Sequence, residues 1–177
     1  MSRAAGEGLA VLVRDARPGE GPAIRDLTLR AYAEYATLMA PRAWAGLDGA
    51  VRSALASDDD AERIVAERGG ALVGSVRLYP PAADAYAGAA GRAAWPELRL
   101  LAVAPEARGH GVGQALVREC VRRAHAAGAR ELGLHTSASM RVAMGMYTRM
   151  GFVRAPEHDF QPEGAELVEG YRLPLDG

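Results

Sequence analysis

Lysine and asparagine are absent from this chain, and all 21 of its basic residues are arginine. No side chain can therefore act as a lysine nucleophile or form a Schiff base. The lysine that grips phosphate in a GxxxxGK[ST] loop is missing too, which removes that class of nucleotide-binding enzyme. The lone cysteine, Cys120, excludes an internal disulfide and any multi-cysteine metal centre. His110, His125, His135 and His158 are too scattered to make a metal-ligand pattern, so no metal is expected. An excess of either charge is also lacking. The formal net charge of −1 gives no bulk attraction to nucleic acid or to an anionic membrane. No apolar run approaches the ~20 residues of a membrane span, and no signal-peptide core is found, so a cytoplasmic location is the expectation.

What is present is globular. A chain of 177 residues, 49% hydrophobic and 24% charged, suffices for one well-cored domain and is short for two. Residues 1–8, rich in glycine and alanine, read as a disordered lead-in. A single domain is expected over 9–177.

Hydrophobic periodicity and turn residues supply an element string. A strand at 9–14 precedes a helix that starts at Pro18-Gly19-Glu20 and runs to about Ala36. Pro41 breaks the pattern before a second helix at 44–56. The Ser57-Asp58-Asp59-Asp60 run that follows reads as solvated loop rather than a cation site. Strands at 63–66 and 71–79 flank Gly69-Gly70, a short-hairpin signal. Residues 80–95, dominated by alanine, glycine and proline, read as a mobile loop. Then come a strand at 98–103, a helix to about 127 with Gly128 as its cap, a strand at 130–136 and a helix at 140–150. Two strand-like pieces flank Gln161-Pro162-Glu163-Gly164. The order βααβββαβαββ implies an α/β (α+β) fold: a mixed central sheet with helices on both faces.

One stretch organises the rest. An apolar strand ends at Val103, and Arg108-Gly109-His110-Gly111-Val112-Gly113 leads straight into the long amphipathic helix. The first amides of a helix have no intrahelical acceptor, and the helix dipole stands behind them. A glycine-rich turn at that point is a seat for phosphate oxygens. Arg108 can add a charge-assisted contact. By itself such a turn also fits a plain strand-to-helix connection. Cys120 lies on that helix among Val112, Leu116, Val117, Val121 and Ala124, a spacing that makes it a core residue.

Two segments in this order resemble the GCN5-related N-acetyltransferase (GNAT) family. LAVAPEARGHGVGQALV is similar to that family's acyl-CoA pyrophosphate loop with its preceding strand. MRVAMGMYTRMGF is similar to its later helix, in which Tyr147 is followed by Gly151-Phe152. The resemblance covers nearly the whole chain. It implies acetyl-CoA as co-substrate and transfer of the acetyl group to a primary amine by direct attack in a ternary complex, on a small molecule. The diphosphate would sit on the turn from Arg108, Gly109 and His110 to Gly111, Val112 and Gly113. Backbone groups at Leu101, Ala102 and Val103 would hold the pantetheine arm. Thr136, Ser139, Met144 and Tyr147 complete the donor contacts that the resemblance implies. The family's usual asparagine is Met140 here, and Thr136, Ser137 and Ser139 are the polar groups near enough to replace it. A homodimer would be in keeping with the family.

Two readings stand for each chemical residue. Tyr147 either protonates the departing thiolate or packs as core with its hydroxyl at the rim. Glu97 either receives the amine proton or is a strand-edge glutamate paired to Arg99. Alternation puts it on one face with Arg99, Leu101 and Val103 if no bulge intervenes. His110 faces solvent or touches phosphate, His135 is structural or borders the cleft, and His125 is a surface helix residue. Tyr32, Tyr35, Met39 and Trp44, then Tyr79, Tyr86 and Trp95, then His158, Asp159 and Phe160, sit where an acceptor would be recognised. Two other functions fit the same residues: a non-catalytic acyl-CoA sensor domain, and a protein N-terminal acetyltransferase.

Overall fold

The computed structural model describes residues 9–86, 88, 90–91 and 93–176, so the expected lead-in at 1–8 lies outside the described residues. The elements follow in the anticipated order. They are β1 (Val11–Asp15), α1 (Gly21–Tyr32), α2 (Pro41–Ala56), β2 (Glu62–Arg68), β3 (Ala71–Tyr79), β4 (Glu97–Val103), α3 (Val112–Ala126), β5 (Glu131–Ser137), α4 (Arg141–Arg149), β6 (Val153–Arg154) and β7 (Val168–Pro174). Two helix ends differ from the sequence reading. The first helix stops at Tyr32 and tightens into a 3-10 turn at Ala33–Thr37. Pro41 starts α2 instead of breaking the chain before it, because the first helical position needs no N–H donor and suits the fixed φ of proline.

Seven strands form one sheet in the order β1-β2-β3-β4-β5-β7-β6. The first four make an antiparallel meander, and β4 pairs with β5 in parallel. β7 inserts between β5 and β6, antiparallel to both. Helices cover both faces. The hydroxyls of Thr28 and Ser75 meet at 3.3 Å where α1 crosses β3. On the opposite face α3 lies close on β3 at Gly74. A Cβ there would stand 2.8 Å from Val112 Cγ1 and 2.9 Å from Leu116 Cδ1, both fully buried side chains. We expect Gly74→Val to destabilise the fold by ~1–3 kcal/mol through overpacking. Urea denaturation checks this, and unchanged stability would show that α3 has room to move off the sheet.

The Asp-rich segment after α2 is less solvated than its composition suggests. Asp59 accepts hydrogen bonds from Arg77 at 3.1 Å and from the Tyr79 hydroxyl at 2.9 Å, which fastens the end of α2 to β3. Cys120 is fully buried, and burial pushes its thiol up to about 12, so it is core, as its helical spacing implies.

β4 bends in the middle. Ser75 pairs with Ala102 and Arg77 with Arg99, so Leu100 and Leu101 both stand opposite Val76. Leu100 occupies the left-handed region at φ 57°, a backbone cost of roughly 1–3 kcal/mol for a non-glycine residue. Its side chain is buried with Val51 and Ala54 of α2, and such burial returns about 1.5–3 kcal/mol. The two magnitudes match, so packing against α2 can hold the bulge. The bulge also corrects the expected face. Glu97 and Arg99 lie on the α1/α2 side with Ala102, whereas Leu101 and Val103 turn to the α3 side.

Candidate active site

Beyond the pair Glu97–Gly133, β4 and β5 have no further registered partners. The edge of β4 that faces β5 is left with unpartnered peptide groups at the bulge, and these can accept an extended, amide-bearing ligand. The glycine-rich turn lies just past the end of β4. Gly109 at φ 77° and Gly111 at φ 75° take the left-handed conformation that brings the chain into α3. The first intrahelical bond runs from Ala115 N–H to Gly111 O at 3.0 Å. The amides of Val112, Gly113 and Gln114 therefore precede the helix ladder. The Val112 side chain is buried, so that residue can offer the turn only its backbone.

Side chains of the turn face elsewhere. The Arg108 guanidinium is held by the Glu34 carboxylate and by Ala31 O at 3.3 Å. His110 is exposed, and its Nδ1 donates to Ala107 O at 3.2 Å. An anion at this turn is thus met by backbone N–H groups first.

A cavity of about 270 Å³ opens where the strands part. Leu98, Leu100 and Leu101 of β4, Thr136 and Ser137 of β5, and Ala143 and Tyr147 of α4 line one side. Tyr32, Tyr35, Met39, Leu47, Tyr86 and Phe160 line the other. Of the aromatic residues picked out for acceptor recognition, Tyr32, Tyr35, Tyr86 and Phe160 thus reach the cavity with Met39, and Trp44 does not. Tyr147 is 5% exposed, and its hydroxyl has no hydrogen-bond partner among the described residues. Burial lifts its pKa well above the usual phenol value, so it stays protonated through the neutral range. Thr136 Oγ1 and Ser137 Oγ are buried without partners among the described residues. Ser139 is occupied: its hydroxyl donates to Glu166 in the segment before β7. Met144 packs against the main core beside Tyr147 and does not line the cavity.

Glu97 is not paired to Arg99. Its Oε2 stands 3.2 Å from His135 Nδ1, and both side chains are buried, at 8% and 4% exposure. His135 Nε2 lies 2.8 Å from the carbonyl of His158, so that nitrogen must be the donor. Nδ1 and Glu97 then complete their bond with one proton between them. His135 borders the main cavity, whereas Glu97 lines a second one of about 260 Å³ with Tyr79, Tyr86, Trp95, His135 and His158. Asp159 is turned away from both, held by Arg154 at 2.7 Å and by the Gly170 amide at 2.8 Å.

Ser137, one of the polar groups expected near the missing asparagine, lines the site, and so do Arg99 and Glu166, neither of which sequence reasoning singled out as a candidate site residue. Arg99 had a visible signal, since an arginine in a strand that is otherwise apolar from Leu98 to Val103 is unusual. Glu166 had none. Among the described residues no cluster of histidine, cysteine and carboxylates fit to hold a metal is present, and no helix is long and apolar enough to cross a membrane.

The sheet order, the bulged β4 that parts from β5, and the glycine turn at the start of α3 together define an acyltransferase-type fold. The pattern of the Acetyltransferase (GNAT) family matches residues 22–152, and the chain belongs to that family. Over 97 residues it is 37% identical to the mycothiol acetyltransferase of Cellulomonas flavigena, a match that covers 54% of this chain and 28% of that protein. The chain thus spans little more than a quarter of that curated relative. Among solved structures it is similar to a GNAT family acetyltransferase from Brucella melitensis in complex with acetyl-CoA. The TM-score is 0.58 at 23% identity, over 95% of this chain and 90% of that one. It is also similar to the PaiA N-acetyltransferase of Thermoplasma acidophilum in complex with coenzyme A, with TM-score 0.69 at 14% identity over 94% and 99%. At these identities the structural likeness speaks for the fold.

Proposed function

We propose that this protein transfers an acetyl group from acetyl-CoA to the primary amine of a small molecule, by direct attack within a ternary complex, as one unit over 9–177. The observation that carries this reading is the parting of β4 from β5 directly above a helix start with free amides. That arrangement offers a seat for a diphosphate and, continuous with it, a strand edge for an amide-rich arm. Thr136 Oγ1 and Ser137 Oγ, buried without partners among the described residues, add polar groups beside that path.

The donor's diphosphate would rest on the amides from Gly109 to Gly113 and Gln114. Its pantetheine amides would pair with backbone groups at Leu101, Ala102 and Val103. The thioester would then reach the bulge, where the backbone at Leu101 can polarise its carbonyl. Tyr147, neutral and without a partner among the described residues, would give its proton to the thiolate as the C–S bond breaks. We assign the amine's proton to the Glu97–His135 pair. That pair already shares one proton, and solvent can take part of the load.

The test is release of free CoA from acetyl-CoA with a panel of small primary amines, amino acids, polyamines and N-terminal peptides, alongside the thermal shift caused by acetyl-CoA. We expect a shift of several degrees and turnover with at least one small amine. Binding without turnover across the panel would replace this reading with a ligand-sensing one. Turnover confined to peptides would make the protein an N-terminal acetyltransferase.

A further inference from the structure

Arg77 and Arg99 are registered partners on β3 and β4, on the face that carries α1 and α2. Like charges directly opposite each other destabilise a sheet unless each is neutralised. Arg77 is neutralised. It donates to the Asp59 carboxylate at 3.1 Å and to Ala54 O at 2.7 Å. Arg99 is not. Its Nη1 donates to Ala85 O at 2.8 Å, and its guanidinium carbon stands 4.7 Å from the centre of the Tyr86 ring. Among the described residues, its Nε and Nη2 have no acceptor and no carboxylate pairs with it. Glu97, two residues away on the same face, is engaged with His135 instead.

Arg99 lines the 270 Å³ cavity, where it is the sole arginine among the described lining residues. A half-buried guanidinium loses hydration that one carbonyl and one ring face do not return in full. The Nε and Nη2 groups form one edge of the planar fork, the edge that takes a carboxylate with two parallel hydrogen bonds. A phosphate dianion would call for further cations, and the described lining supplies no second arginine, its His135 being engaged by Glu97 and the His158 carbonyl. Glu163 and Glu166 on the same lining bring the opposite sign, which suits a zwitterion.

We propose that Arg99 binds a carboxylate on the acceptor. The acceptor is then an amine that also carries a carboxylate, an amino acid or a close analogue, with an apolar body packed among Tyr32, Leu47 and Phe160. This inference rests on the acetyl-transfer reading of the site, and it excludes polyamines and protein N-termini as the favoured acceptors.

The test compares phenylalanine, leucine and methionine with their amides and their decarboxylated amines. Binding to the CoA-loaded protein is measured by calorimetry, and turnover by CoA release. For the best series, the acid should bind at least ~30-fold tighter than its amide or amine, the range of a charged hydrogen-bonded pair. Arg99→Gln should erase that preference, mainly through KM, while the amine counterpart keeps its affinity. Arg99→Lys should restore part of the preference. Amides and amines that bind as well as the acids would overturn the proposal. So would an Arg99→Gln protein that weakens all three classes alike, the result expected if Arg99 only secures Ala85. Absence of binding by every compound would overturn it too. Acids that bind through Arg99 without any release of CoA would leave the carboxylate site standing and overturn the transferase reading instead.

Discussion

Replacing Tyr147 with phenylalanine is expected to lower kcat by ~10²–10³-fold, the usual share of a positioned general acid. The KM for acetyl-CoA should stay within about threefold, because the ring and its packing remain. The ring sits against Phe152 with centroids 5.7 Å apart, so the deletion removes an oxygen and leaves no cavity. What is lost is a proton held in a buried site. Burial disfavours the phenolate and raises the Tyr147 pKa, with the neighbouring hydroxyls of Tyr32 and Tyr35 adding to the shift. A group whose pKa is raised in this way remains a donor from acid through mildly alkaline pH. Wild-type kcat should therefore show no alkaline decline due to Tyr147 below about pH 10, the ordinary phenol value. Steady-state kinetics with the best amine decide the matter. A phenylalanine variant with unchanged kcat would remove Tyr147 from the chemistry and leave it as core.

The second large effect concerns the donor seat. Gly111 holds φ 75° at the residue before α3, with open space around it. A valine there has room for its side chain but not the backbone conformation, at a strain of roughly 1–3 kcal/mol. Relief of that strain would rotate the amides from Gly111 to Gly113 away from a common focus. We expect Gly111→Val to raise the KM for acetyl-CoA by ~30–100-fold, about 2–3 kcal/mol of donor binding, and to abolish the acetyl-CoA thermal shift. Catalysis at saturating donor should survive better, since Tyr147 and the bulge are untouched. Gly113→Ala should cost far less. Gly113 is already helical, and its added Cβ would meet Met146 and Val103 at an ordinary 3.5 Å. Equal damage from both substitutions would mean that the turn needs small residues rather than a left-handed backbone.

Local features were legible in the sequence because their causes are local. The glycine turn, Tyr147 with Gly151-Phe152, and the period of Leu116, Val117 and Cys120 each depend on residues a few positions apart. All seven strands and four helices were read in their correct order. Features that depend on register were not legible. No glycine or proline marks the bulge at Leu100, because its support comes from Val51 and Ala54 on another element. The Glu97–His135 contact joins residues 38 apart through the splay of two strands, and neither residue announces the other. Pro41 was misjudged because a proline that ends one element and a proline that begins the next look the same until the helix direction is known.

The insertion of β7 between β5 and β6 has a consequence for biosynthesis. While the chain emerges from the ribosome, β5 and α4 are complete well before residues 168–174 appear. Throughout that interval the outer edge of β5 presents a row of unpaired peptide groups, the kind of edge on which nascent chains associate. His158 and Glu166, which grip His135 and Ser139 in the finished protein, reach their places only when the strand that carries that segment docks. The cavity is thus assembled last, and a nascent chain stalled before Val168 would carry an intact glycine turn beside an unfinished cavity.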